Sequence, residues 1–254
     1  MSKPNYSRHK TSIMCYMIIT GGSLVWFLLS LIADMFVVTA IVTPKWLIGP
    51  TAQAITLSTV KYAASTDNQT LATAATTTYR HPSVGIYTRC KAIREAGHHF
   101  TFHCGSFDLD GFSTDSEIYP SPWKAAMFFI SLGFVLLTLT VLCTLISCCR
   151  QSIFGKSLHN MTACAQVTAG ISVMLSLFLH PMGWSASRVQ LLCGPDAEPF
   201  YAAGCSLGIS FYSAIAGVIL CFVCAGISLK AESSNMRTRV KRRVEGGDRL
   251  VCIP

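Results

Sequence analysis

The stretch from Gly85 to Cys104, GIYTRCKAIREAGHHFTFHC, gathers the side chains with the most obvious chemistry in the chain. His98, His99, His103 and Cys104 are residue types that ligate zinc, but a zinc site needs ligands converging from a defined scaffold. Cys104 has a better use here, because with Cys90 it can close a short disulfide loop. No metal and no cofactor is therefore expected, and the histidines read as exposed polar residues of a loop. The sequence also offers no pair of intramembrane carboxylates, no phosphate-binding loop, no nucleophile elbow and no zinc box, so an enzyme is not expected.

The elements that must display this stretch are membrane helices. The chain has 254 residues, 51% of them hydrophobic and only 13% charged, with a mean hydropathy of +0.47, which is too apolar for an ordinary soluble domain. A bilayer core of about 30 Å needs roughly 20 apolar residues per helix. Four windows qualify: 13–42, 123–147, 161–180 and 207–229. Backbone groups in lipid must be satisfied within their own segment, so these are read as helices. The first is longer than a signal-peptide core and lacks a small-residue cleavage site, so it is expected to stay as a helix. The predicted order is a cytoplasmic N-terminus (1–12), a large external loop (43–122), a cytoplasmic loop (148–160), a second external loop (181–206) and a basic cytoplasmic tail (230–254).

That orientation rests on flanking positive charge. Lys3, Arg8 and Lys10 precede helix one, Arg150 and Lys156 follow helix two, and Arg237, Arg239, Lys241, Arg242 and Arg243 fill the tail, whereas 181–206 holds only Arg188. The formal charge of +8 then faces anionic lipid. Nucleic acid is not an expected partner, since no folded basic domain is present.

Along the chain, Asp34 is an intramembrane acid placed in the outer leaflet, and a bare carboxylate there costs several kcal/mol. Its structural reading is a hydrogen bond to a neighbouring helix, with Lys124 or His180 as candidates; its functional reading is a partner-binding or proton-linked acid. Asn68-Gln69-Thr70 is a glycosylation sequon in the first external loop, whereas Asn5 and Asn160 begin sequons on the cytoplasmic side. Of twelve cysteines, Cys90, Cys104, Cys193 and Cys205 fall in the external loops. Four cysteines admit three connectivities; the local pairing of Cys90 with Cys104 and Cys193 with Cys205 is preferred, and the spacing leaves the others open. Tyr119-Pro-Ser-Pro-Trp123 should anchor the outer end of helix two, with Trp123 at the interface. Cys148 and Cys149 stand where S-palmitoylation occurs. Ser213, Gly217, Cys221 and Ala225 form a small-residue stripe suited to close packing within the bundle.

Trp46 beyond helix one, then Gly85-Ile86-Tyr87 shortly before Cys90, then Cys104, resembles the W…GLW-x-x-C…C signature of the claudin-like tetraspans. Within that superfamily the chain resembles the lipoma HMGIC fusion partner-like tetraspans, through Trp46-Leu-Ile-Gly49, His81-Pro-Ser-Val-Gly-Ile-Tyr-Thr-Arg-Cys90, Pro181-Met-Gly-Trp184, Cys193-Gly194, Gly204-Cys-Ser-Leu-Gly208 and the closing Val251-Cys-Ile. The resemblance implies a membrane all-α, left-handed four-helix bundle capped by a small extracellular β-sheet, mostly from the first loop with one strand from the second. It implies an architectural role for Trp46, Gly85, Ile86 and Tyr87, a sheet disulfide between Cys90 and Cys104, and a second between Cys193 and Cys205. Ile86 and Tyr87 depart from the leucine and tryptophan of claudins, and the Ala/Thr-rich segment from Thr51 to Thr78 lengthens the first loop.

The function implied is non-enzymatic: an auxiliary or scaffolding subunit that binds channel, receptor or adhesion partners within the membrane and aids their trafficking, at the plasma membrane. Two other readings stand beside it. One is claudin-like junctional adhesion or barrier formation through self-association, for which a scaffold-binding tail is missing. The other is an organising factor of endomembranes.

Overall fold

The computed structural model describes residues 17–50, 52–61, 71–95, 99–107, 120–147, 152–153, 156–235 and 250–253. In chain order its elements are β1 (Met17–Thr20), α1 (Gly21–Val42), β2 (Leu47–Ile48), β3 (Ala52–Lys61), β4 (Leu71–Arg80), β5 (Ser83–Val84), β6 (Thr88–Glu95), β7 (His99–Ser106), α2 (Ser121–Ser147), β8 (Ser152–Ile153), β9 (Lys156–Ser157), α3 (Leu158–Met182), α4 (Ser187–Cys193), β10 (Ser206–Leu207), α5 (Ile209–Asn235) and β11 (Leu250–Ile253). Among the described residues four helices, α1, α2, α3 and α5, are long and apolar enough to cross a membrane. Asn5, Asn68, His98, Cys148, Cys149 and the basic run from Arg237 to Arg243 lie outside the described residues.

Composition explains the bundle. On α1 the buried residues are Trp26, Ser30, Ala33, Asp34, Val37 and Ala40, a helical stripe of mostly small side chains. Leu24, Val25, Leu28, Ile32 and Phe36 are exposed on the other sides. Lipid tails give no hydrophobic reason for helices to associate, so close backbone approach and interhelical hydrogen bonds must supply the attraction. Three of the four seams therefore carry a glycine. A Cβ at Gly133 would meet Val173 across α2 and α3, one at Gly170 would meet Cys221 across α3 and α5, and one at Gly217 would meet Val37 across α5 and α1. The α1–α2 seam is packed most sparsely and is bridged by a side-chain hydrogen bond instead.

The cap is a five-stranded antiparallel sheet of order β10-β2-β5-β6-β7. Four strands come from the segment between α1 and α2, and β10 comes from the segment between α3 and α5. β3 and β4 form a separate ten-residue antiparallel hairpin, from Ala52↔Arg80 to Lys61↔Leu71. That hairpin is most of the Ala/Thr-rich segment: threonine is β-branched and at home in strands.

Helix bounds depart from expectation at several ends. α1 begins at Gly21, not Ile13, because Met17–Thr20 pairs in parallel with Leu250–Ile253; Ile18, Ile19 and Thr20 favour a strand, and Gly21-Gly22 is a weak place to continue a helix backwards. α5 runs past Leu229 to Asn235, and α3 carries Pro181 in its last turn. The second loop contributes the one expected strand, β10, and also contains α4.

Candidate functional site

The residues singled out in the sequence converge where the sheet meets the bundle. Trp46 follows α1 and is fully buried. Its indole N–H donates to the Ala40 carbonyl at 2.7 Å, its backbone amide to the Val84 carbonyl at 3.0 Å, and its carbonyl accepts from the Gly208 amide at 3.0 Å. One residue thus ties the end of α1 to the sheet and to the entry of α5. In the turn that follows β5, a Cβ at Gly85 would lie 2.8 Å from Pro44 Cα, so glycine lets two backbones cross. Ile86 is buried in the core. Tyr87 reaches into the bundle, its hydroxyl donating to the Met127 carbonyl at 2.8 Å and contacting the Ser131 hydroxyl.

His180, at the end of α3, is the hub of this junction. Its ring lies 4.7 Å from that of Trp46 and is stacked on Trp123 at 5.3 Å and 4°. Trp123 donates to its carbonyl at 3.0 Å, and Trp184 to its Nδ1 at 3.2 Å. Two readings are corrected here. Trp123 does not sit at the lipid interface: it is buried, because its neighbours at that height are aromatic rings of the bundle. His180 does not serve Asp34, whose carboxylate accepts from Thr138: of its two ring nitrogens, Nδ1 accepts from Trp184 and the buried Nε2 has no hydrogen-bond partner among the described residues.

The two disulfides brace the same region. Cys90 and Cys104 face each other in the β6–β7 register and are bonded, with Cα atoms 4.1 Å apart. Cys193 and Cys205 are bonded at a Cα separation of 4.9 Å, fastening the end of α4 to the approach to β10. Phe107, after β7, lies under both Arg89, 5.5 Å from its ring centroid, and Arg188, 4.9 Å away, which joins the sheet to α4 through cation–π contacts.

Deeper in the bundle, Asp34 is 7% exposed and accepts from the Thr138 hydroxyl at 3.4 Å across the α1–α2 seam. Lys124 is out of reach of Asp34: it lies about 20 Å along α2 from Thr138 at 1.5 Å per residue. A second polar cluster was missed in the sequence. Trp26 donates to Gln166 Oε1 at 3.2 Å, and Gln166 Nε2 donates to the Ser30 hydroxyl at 2.7 Å, linking α1 to α3. The intramembrane Gln166 was its visible signal. Ser213, Gly217, Cys221 and Ala225 are all buried, facing α1 and α3 rather than lipid. His103 is exposed, and among the described residues no group of His, Cys, Asp or Glu is placed to hold a metal ion.

Comparison with known proteins gives this arrangement a family. Residues 22–230 match the family described as lipoma HMGIC fusion partner-like protein. The chain is 35% identical over 241 residues to LHFPL tetraspan subfamily member 2a protein of Danio rerio, covering 94% of this chain and 100% of the relative. It is 33% identical over 243 residues to LHFPL tetraspan subfamily member 2 protein of Homo sapiens, with the same coverage. A more distant relative, LHFPL tetraspan subfamily member 4 protein of Homo sapiens, is 29% identical over 137 residues, 53% of this chain and 51% of its own.

Proposed function

The chain belongs to the lipoma HMGIC fusion partner-like family of multi-pass tetraspans, and from that premise we propose that it is a non-enzymatic auxiliary or scaffolding subunit. It binds a channel, receptor or adhesion protein laterally and aids its delivery to the plasma membrane. The observation that supports this reading is the junction around His180: three indoles and the Tyr87 hydroxyl hold the sheet on the bundle, and one disulfide within the sheet and one beside it brace the same cap. A cap held in this way offers a partner two surfaces in fixed relation, one to its membrane helices and one to its ectodomain. Pre-set geometry lowers the ordering cost of engaging both.

In this reading the sheet-bearing end is extracellular and both termini are cytoplasmic. The β1–β11 pairing, which brings the start of α1 and the chain's last strand together, supports the termini sharing a side, and the Lys/Arg distribution supports that side being the cytosol. Asn68 carries glycan, Cys148 and Cys149 carry acyl chains at the opposite end, and the Ser213–Ala225 stripe serves the bundle itself.

The test is mild-detergent purification of the tagged protein from native membranes with quantitative mass spectrometry. Recovery of one channel or receptor at fixed stoichiometry, lost when residues 52–80 are replaced by a short linker, is the expected result. Recovery of mainly the protein itself, enriched at cell contacts, defeats it. Glycosidase treatment checks orientation: a mobility shift abolished by Asn68→Gln is expected, whereas glycan on Asn160 reverses the topology.

A further inference from the structure

Between α4 and β10 the chain makes a tight turn at Glu198-Pro199-Phe200-Tyr201. The Tyr201 amide donates to the Glu198 carbonyl at 2.9 Å, and the Glu198 amide to the Tyr201 carbonyl at 3.0 Å. Phe200 has φ +63°, the left-handed region that this third turn position normally reserves for glycine or asparagine after a proline. A bulky residue there is sterically costly, and such strain is compensated when the side chain packs. Phe200 does not pack inside: it and Tyr201 are each 59% exposed.

The height of the turn is fixed. The Phe200 amide donates to the Pro181 carbonyl at 3.1 Å, one residue before the membrane-spanning segment Asn160–Met182 ends. Phe178 and Met182 on α3, and Ile209 and Tyr212 at the start of α5, are exposed apolar residues at the adjoining helix ends. The two aromatics thus stand level with the edge of the lipid-facing surface, where a ring with an apolar body, and in tyrosine a polar tip, is most at ease.

We infer that Phe200 and Tyr201 form a membrane anchor, a turn that seats two aromatic rings in the headgroup region of the leaflet on the sheet-bearing side. The partner is lipid, not a protein ectodomain. With the Cys193–Cys205 bond fastening the same segment, the anchor fixes the tilt and depth of the sheet above the bilayer. This inference is independent of which protein partner is bound.

The full-length protein in nanodiscs tests it through Phe200→Trp. All four native tryptophans, Trp26, Trp46, Trp123 and Trp184, are buried, so added emission reports position 200. Strong quenching by lipids brominated in the upper acyl chain, with weak quenching by aqueous iodide, is expected. Strong iodide quenching and weak bromolipid quenching overturns the anchor, and iodide protection that appears only on adding further protein assigns the tip to protein contact instead. Tyr201→Trp reads the same surface if Phe200→Trp does not fold. In that background Phe200→Gly, which suits the backbone, is expected to leave the melting temperature unchanged or higher while reducing bromolipid quenching at least twofold; unchanged quenching counts against a shared anchor.

Discussion

The imidazole of His180 lies flat on the indole of Trp123, ring centroids 5.3 Å apart and planes 4° from parallel, while its Nδ1 accepts from Trp184. The two roles separate by substitution. His180→Phe keeps a ring between Trp46 and Trp123; it strands the Trp184 N–H but also removes the buried, unpartnered Nε2–H, two terms of about 1–3 kcal/mol each that largely offset. His180→Ala loses the ring as well and opens a cavity, at a cost of about 3 kcal/mol or more. Thermal unfolding in detergent should place His180→Phe near wild type and well above His180→Ala; equal melting of the two variants would show that the stacking contributes nothing.

Cys90 and Cys104 stand opposite each other in the β6–β7 pairing, so their bond ties the two strands at one edge of a sheet that Trp46, leading into β2, joins to the bundle. Losing a native disulfide from a small domain typically costs about 2–5 kcal/mol. Cys90→Ser is expected to reduce surface delivery, measured by cell-surface biotinylation, with the protein held inside the cell. Wild-type surface levels with unaltered binding of an antibody to the first loop would show that the sheet holds without the bond.

Asp34→Asn keeps an oxygen to accept from Thr138 and removes a charge that lipid disfavours. Melting temperature and surface expression should therefore change little, by less than about 1 kcal/mol in stability. Thr138→Val removes the donor and is expected to have the larger effect. Loss of a co-purifying partner in Asp34→Asn at normal expression would place the carboxylate in a binding surface instead.

Which features could be read in the sequence follows from how local their causes are. Four apolar windows reveal four helices because hydrophobic length is a property of each segment alone. The family motif around Trp46, Gly85 and Cys90 revealed the sheet. The partner of Asp34 was misjudged because it depends on depth along a neighbouring helix, which periodicity does not carry. Trp123 misled for the same reason: an indole near a helix end suits either lipid headgroups or a stack of aromatic rings, and only the approach of His180 decides between them. The start of α1 was misplaced because apolar β-branched residues before Gly21 count equally toward a helix window and toward a strand, and the pairing with Leu250–Ile253 is remote in sequence.

Two glycines make predictions of different size from what a methyl group would meet. At Gly208, where α5 begins and the amide donates to the Trp46 carbonyl, an added Cβ would fall 2.0 Å from the Lys45 carbonyl oxygen. Backbone held by hydrogen bonds on both sides cannot step aside cheaply, so Gly208→Ala should cost about 3 kcal/mol and spread to the sheet through β10, whose Leu207 pairs with Leu47. At Gly217 the obstacle is Val37 Cγ2 at 2.9 Å, one methyl of a side chain. Gly217→Ala should cost about 1 kcal/mol, and Val37→Ala in the same chain should restore part of it, since the new methyl then occupies space the valine vacated. A double-mutant cycle on melting in detergent measures that coupling. Strict additivity of Gly217→Ala and Val37→Ala would mean that the α1–α5 seam is looser than the distance indicates, and tolerance of Gly208→Ala would mean that the entry of α5 can shift relative to the sheet.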